Sequence, residues 1–299
     1  MHKRERLGTG RLDGKRGLLK VCNEKDNAMQ LGLGSYAYRW SIGIKDQVPE
    51  TPMTPFDVLE EAEKLGLKLI QYADNMPLDA LSDAELQRLA DLAKARGITL
   101  EVGTQCFNAE QVSQYLGICR VIDSKIMRVA LDAEDALVPV EELAEQLRPL
   151  VEDAKSAGIR IAIENHFNYP SPRMVELLKT VDDPALGVCL DVANSICAKE
   201  WPEETITMLA PYAINLHLKD YVIEPDPYGV GFRIRGVPLG EGRADIPWIL
   251  DQLEHCADGL SVIVEHWLPL GESLEETIAL EQPWLERTVA AGKKFIEGR

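Results

Sequence analysis

From Met29 onward the chain alternates short apolar runs with longer amphipathic ones. The runs at 31–37, 67–73, 98–103, 125–131, 159–165, 186–192, 213–219 and 260–266 predict strands. The stretches at 55–66, 81–96, 108–122, 140–157, 171–181, 202–210, 246–256 and 273–297 predict helices. In the fourth, Leu143, Leu147, Val151 and Ala154 recur at helical spacing and mark one buried face. Gly66, Gly97 and Gly158 each follow a helical pattern and precede a strand, as a terminating glycine should. Strand–helix units in this series predict parallel strands joined by crossover helices, and eight of them close a (β/α)8 TIM barrel of the α/β class. An open doubly wound sheet would carry a glycine-rich phosphate turn after its first strand. Gly32-Leu33-Gly34 has no third glycine and no helix at the required spacing.

Residues 1–28 break the pattern. They hold eight Lys/Arg against four Asp/Glu and show no hydrophobic period, which predicts a flexible N-terminal extension. Residues 29–299 are expected to form a single catalytic domain. The formal net charge of the chain is −17, which disfavours nucleic acid and anionic membrane surfaces as partners. No apolar run is long enough to span a membrane, and the amino terminus lacks the apolar core of a secretory signal. The expected location is the cytoplasm, with Cys22, Cys106, Cys119, Cys189, Cys197 and Cys256 as reduced thiols.

In a TIM barrel the chemistry gathers where the strands end. Four strands of the second half stay apolar until one carboxylate or imidazole appears. They read Ile161-Ala162-Ile163-Glu164-Asn165-His166, Val188-Cys189-Leu190-Asp191-Val192-Ala193-Asn194, Ile214-Asn215-Leu216-His217-Leu218-Lys219-Asp220 and Val262-Ile263-Val264-Glu265-His266-Trp267. Converging buried carboxylates repel unless a cation lies between them. Glu164, Asp191, His217 and Glu265 are therefore candidate ligands of one divalent metal ion. The oxygen-rich set favours Mn²⁺, with Mg²⁺, Co²⁺ or Zn²⁺ as alternatives.

Other residues have two readings each. Lys219 shares the face of His217 and either neutralises an oxyanion or pairs with Asp191 or Asp220. His166 is a candidate acid/base or hydrogen-bonds a substrate hydroxyl. Asn194 binds a substrate hydroxyl or caps the next helix. Arg233 and Arg235 lie on a long loop, Tyr221 to Asp245, and either contact an anionic or hydroxyl-rich ligand or face solvent. Tyr36, Tyr38, Arg39 and Trp40, at the end of strand one, either wall the substrate pocket or pack beneath the first loop. Glu101 and Arg128 are expected to form a structural ion pair inside the barrel.

The same four runs, with the Gly236-Val237-Pro238-Leu239-Gly240-Glu241-Gly242-Arg243 stretch, resemble the xylose isomerase-like TIM-barrel superfamily, most closely its sugar phosphate isomerases/epimerases. The resemblance spans roughly residues 30–298. It implies that Glu164, Asp191, His217 and Glu265 hold one divalent ion and that Glu164 and Glu265 act as the acid/base pair on a ketose. The activity so implied is isomerisation or epimerisation of a keto sugar or sugar derivative through an enediolate that the metal stabilises. The alternative is a carbon–oxygen or carbon–carbon lyase using the same enolate, for keto-glycoside β-elimination/C-deglycosylation or dehydration. Sugar 3-epimerases of the superfamily carry His three residues after the metal-binding Asp, where this chain has Asn194; this departure points away from an ordinary free-ketose 3-epimerase. The expected partner is a small carbohydrate, with the protein a homo-oligomer and a further subunit only in the lyase case. An apurinic-type endonuclease shares the barrel but needs a zinc cluster rich in histidine, and this chain has five histidines, His2 among them in the extension.

Overall fold

The computed structural model describes residues 29–256 and 259–298. The expected extension at 1–28, with Cys22, lies outside the described residues. The strands are β1 (Gln30–Gly34), β2 (Leu69–Tyr72), β3 (Thr99–Gln105), β4 (Ile126–Ala130), β5 (Arg160–Glu164), β6 (Leu186–Asp191), β7 (Ala213–Leu218), β8 (Asp220–Pro225), β9 (Phe232–Val237) and β10 (Ser261–Val264). Eight of them close a parallel barrel in the order β1-β10-β7-β6-β5-β4-β3-β2. The helices are α1 (Arg39–Ile42), α2 (Pro55–Lys64), α3 (Asp83–Arg96), α4 (Ala109–Ile122), α5 (Val140–Ser156), α6 (Ser171–Val181), α7 (Pro202–Leu209), α8 (Ile246–Gln252) and α9 (Leu274–Glu297). Thr54 and Ser82 start α2 and α3 with reciprocal capping boxes. Gly97 ends α3 in the left-handed conformation, φ 63°.

The apolar core is the shell between strands and helices, from Leu33 and Ile70 through Leu116, Leu147 and Leu177 to Leu216 and Leu285. Inside the barrel the filling is different. Ile126, Ala162 and Cys189 make a small apolar plug. Above and beside it lie buried polar groups: Gln71, Glu101, Arg128, Glu164, Asp191, Asn215, His217 and Ser261. Parallel register then sets the rim. Asp191 lies opposite His217, Ala130 opposite Glu164, and Glu265 follows directly on β10. A slip of one residue would turn these side chains into the shell.

The segment expected to be a long loop is instead an antiparallel ribbon. β8 pairs with β9 from Asp220↔Val237 to Pro225↔Phe232. Asp220 ties its foot to the barrel. One carboxylate oxygen accepts from the backbone N–H of Tyr221 (2.8 Å) and Ala244 (3.0 Å), the other from Gly240 (3.0 Å) and Gly242 (2.8 Å). A Cβ at Gly242 would sit 2.2 Å from Asp220 Oδ1, so only glycine admits this clasp. At the far end Tyr228, Val230 and Phe232 are exposed. Cys106, Cys119, Cys189, Cys197 and Cys256 are all free thiols. Among the described residues no helix is long and apolar enough to cross a membrane.

Candidate metal centre and pocket

Glu164, Asp191, His217 and Glu265 meet at the carboxyl-terminal mouth of the barrel, all buried. Ligand atoms of Asp191, His217 and Glu265 lie within 4.8 Å of one another, and Glu164, Cys189 and His217 form an overlapping group. The imidazole is the informative member. Its Nε2 lies 2.6 Å from Gln71 Oε1. An amide oxygen only accepts, so Nε2 carries the proton and Nδ1 is left with a lone pair. That Nδ1 is buried without a hydrogen-bond partner, 3.7 Å from Glu164 Oε2 and 3.5 Å from Glu265 Oε1. A buried lone pair aimed among carboxylate oxygens is the arrangement a divalent cation satisfies, so the residues fit a metal.

Two buried cations complete the cluster. Lys219 Nζ donates to Glu265 Oε2 at 2.8 Å and lies 2.7 Å from Asp191 Oδ2, off hydrogen-bond alignment. Arg128 Nε donates to Glu164 Oε2, and its Nη1 donates to Asp74 Oδ1 at 2.7 Å. Asn194 Nδ2 donates to Glu164 Oε1 at 2.7 Å, while the backbone N–H of Asn194 donates to Asp191 Oδ1 at 2.8 Å. Burial alone would raise the Glu164 pKa, but the Arg128 guanidinium beside it, with the Lys219 ammonium further off, holds it down to about 2. Burial works against the Lys219 charge too, and Asp191, Glu265 and Glu164 outweigh it and push that pKa up. Burial pushes His166 down, favouring neutral imidazole.

The cluster forms the floor of a cavity of about 380 Å³, lined among others by Tyr36, Arg39, Lys45, His166, Phe167 and Trp267. His166 stacks on Phe167 at 4.2 Å between ring centres, with Nδ1 unpartnered. Of the sequence-derived candidates, the structure brings Glu164, Glu265, His166, Lys219 and Asn194 to this cavity. Asp191 and His217 lie beneath it.

Others go elsewhere. Tyr38 is 3% exposed and donates to Gln282 Oε1 of α9 at 2.6 Å, so it packs beneath the first loop and does not wall the pocket. β1 stops at Gly34 and a 3-10 turn follows, which swings Tyr36 inward instead. Arg233 and Arg235 stand on the outer ribbon, half exposed, paired with Asp226 at 3.3 Å and Glu224 at 3.0 Å. They do not reach the cavity. Lys219 pairs with Asp191 and not with Asp220, whose oxygens are taken by backbone amides.

The Glu101–Arg128 pair does not form either. Gly103 lies opposite Arg128 in the register, and a Cβ there would sit 2.7 Å from Arg128 Cδ. The missing side chain lets Arg128 run toward the mouth, while Glu101 is held below by Ser261, Gln71 and Asn215. Arg128 was visible as one charge inside an apolar strand. Arg39, one of the candidates at the end of strand one, lines the cavity, whereas Lys45 and Trp267 gave no comparable signal, because their placement depends on loop paths.

Residues 59–288 match the family model described as xylose isomerase-like TIM barrel, and the chain belongs to that family. The 3-oxo-isoapionate decarboxylase of Pectobacterium atrosepticum is 31% identical over 261 residues, which cover 87% of this chain and 94% of that protein. A D-psicose 3-epimerase from Clostridium cellulolyticum H10, solved with D-tagatose, has a TM-score of 0.65 at 18% identity, over 90% of this chain and 99% of its own. A xylose isomerase-like TIM-barrel protein from Mycobacterium smegmatis, solved with magnesium, has a TM-score of 0.59 at 18% identity, over 88% and 97% of the two chains. The relatives include carbohydrate enzymes of more than one reaction class.

Proposed function

We propose that this chain is a divalent-metal-dependent carbon–carbon lyase that decarboxylates a 3-oxo sugar acid, with residues 29–299 as its catalytic domain. The observation that carries the reading is the pair of buried cations, Lys219 and Arg128, set into the carboxylate cluster beneath a cavity whose wall adds Arg39 and Lys45. The relation to the Pectobacterium enzyme supports it. A metal held by Glu164, Asp191, His217 and Glu265 would supply Lewis-acid polarisation of the ketone.

The chain's own groups account for the rest. Loss of CO₂ from a 3-oxo acid breaks the bond between the carboxylate and the neighbouring carbon, and the electron pair passes to the ketone oxygen. Lys219 places fixed positive charge where that oxyanion develops. Arg39 and Lys45 offer the departing carboxylate its counter-charge. One proton must then reach carbon, and His166, which lines the cavity wall, is the group we assign to deliver it. The balance is one 3-oxo carboxylate anion and one proton in, one ketone and one CO₂ out. Epimerisation needs two groups exchanging protons at opposite faces, whereas both oxygens of Glu164 are already engaged by Arg128 and Asn194.

One observation favours the isomerase/epimerase reading as a second choice: Glu164 and Glu265 flank His217 from two sides, as an acid/base pair would. A single experiment separates the two. Mn²⁺-reconstituted protein is incubated in D₂O with 3-oxo sugar acids and with ketoses and their phosphates, followed by NMR and by CO₂ release. Decarboxylation predicts one CO₂ and one deuterium per ketone formed. Carbon-bound exchange without CO₂ supports the epimerase, and an unsaturated product supports elimination; either refutes the proposal. Glu164→Gln and Glu265→Gln are expected to lose the bound ion.

A further inference from the structure

We infer that Glu101, which touches neither the cavity nor any proposed metal ligand, is a positioning residue that sets the tautomer of His217 through Gln71 and thereby the affinity for the ion. The inference rests on the assignment of His217 as a ligand. Glu101 is 2% exposed inside the barrel and has no cationic partner among its hydrogen bonds. It accepts instead from three neutral donors: Ser261 Oγ, Gln71 Nε2 at 2.9 Å and Asn215 Nδ2 at 3.0 Å.

Both amides meet the same oxygen, Oε2, which stays an acceptor even where burial, which raises this carboxyl's pKa, keeps a proton on Oε1 toward Ser261 Oγ. It therefore fixes both amides. Asn215 must turn its nitrogen to Glu101, which leaves its oxygen facing Gln71 Nε2 at 3.3 Å and Cys189 Sγ at 3.1 Å. Gln71 Nε2 thus faces two acceptors, and its oxygen is forced toward His217 Nε2 at 2.6 Å. The imidazole must answer with its proton on Nε2. Its Nδ1 lone pair is then presented to Glu164 and Glu265. Reversing the Gln71 amide would put an N–H against Nε2, move the ring proton to Nδ1, and aim that N–H at the spot where a cation has to bind. One unpaired carboxylate deep in the barrel thus selects which imidazole nitrogen is free, two hydrogen bonds away.

The test compares wild type, Glu101→Gln and the exchanged double variant Gln71→Glu/Glu101→Gln. Tautomers are read by nitrogen–proton couplings in histidine-labelled, metal-free protein; only five histidines have to be assigned. Affinity is read with MnCl₂ by the electron paramagnetic resonance of free Mn²⁺. Glu101→Gln is expected to populate the Nδ1–H form and to weaken Mn²⁺ binding about 10- to 100-fold, the usual scale for outer partners of a ligand histidine. The double variant returns a carboxylate to the acceptor side of His217 and is expected to restore the Nε2–H form and binding to within about threefold of wild type, recovering the loss expected of a broken outer partner. If Glu101→Gln does not fold, Gln71→Met carries the same expectation, since it removes the acceptor and leaves Glu101 with Asn215 and Ser261. A variant that keeps the Nε2–H tautomer and wild-type Mn²⁺ affinity overturns the inference, as does a double variant that restores neither. Failure of wild type to bind Mn²⁺ overturns the metal assignment instead, and the tautomer comparison still decides this point.

Discussion

Lys219→Met separates the two jobs of the buried ammonium. Lys219 is 3% exposed and lies 2.7 Å from Asp191 and 2.8 Å from Glu265. At an effective dielectric of ~20, each contact is an attraction of about 6 kcal/mol before the desolvation of the ions is subtracted. Removing one partner of such a buried cluster leaves carboxylates uncompensated and typically costs about 3–5 kcal/mol. Methionine keeps most of the apolar volume, so the loss is electrostatic. Metal-free Lys219→Met should therefore melt roughly 10 °C below wild type, at about 2–4 °C per kcal/mol for a domain of this size. A divalent ion replaces the missing positive charge, so the rise in melting temperature on adding Mn²⁺ should be larger in the variant than in wild type. Turnover should nevertheless fall about 100- to 1000-fold, as when one group stabilising an oxyanion is lost. The measurements are thermal unfolding with EDTA and with saturating Mn²⁺, and kcat on a 3-oxo sugar acid. An equal Mn²⁺ shift in both proteins would refute the charge argument. Full turnover in the variant would remove Lys219 from the chemistry.

Other consequences can be checked as directly. Asp220→Asn turns an amide NH₂ toward two of four backbone donors and should destabilise by about 2–4 kcal/mol in urea unfolding, given about 1–3 kcal/mol for each buried group left unsatisfied. Gly103→Ala drives a methyl into Arg128 and should cost about 1–3 kcal/mol, with weaker Mn²⁺ binding because Arg128 also positions Glu164. Arg233→Ala and Arg235→Ala remove exposed ion pairs outside the cavity and should leave kcat/KM within about twofold of wild type.

The barrel was legible because a parallel strand covered on both sides reads as an unbroken apolar run, and a lone Glu, Asp or His at its end stands out. Four such interruptions on successive barrel strands mark the rim. What escaped depended on geometry that no local pattern encodes. Arg128 chose Glu164 over Glu101 because Gly103, on a neighbouring strand, leaves a gap. Tyr36 faced inward and Tyr38 did not because a 3-10 turn broke the two-residue alternation after Gly34. The ribbon was missed because its strands mix Asp, Glu, Arg, Gly and Pro and pair only with each other. Gln71 and Asn215 carried no signal at all, since an amide inside an apolar run says nothing about which way its oxygen points.

The clasp at Asp220 has an engineering consequence. It gathers backbone from positions 221, 240, 242 and 244 onto one side chain, so both feet of the hairpin are stapled beside the barrel wall. Gly236 then seats against Trp267 of the pocket, whereas Tyr228 and Val230 at the crest touch little but water. Since closing a longer loop adds only about 0.6 kcal/mol per doubling of length, the crest is a graft point. A foreign hairpin or epitope spliced between 226 and 231 should ride on this scaffold while the metal-facing end goes on undisturbed.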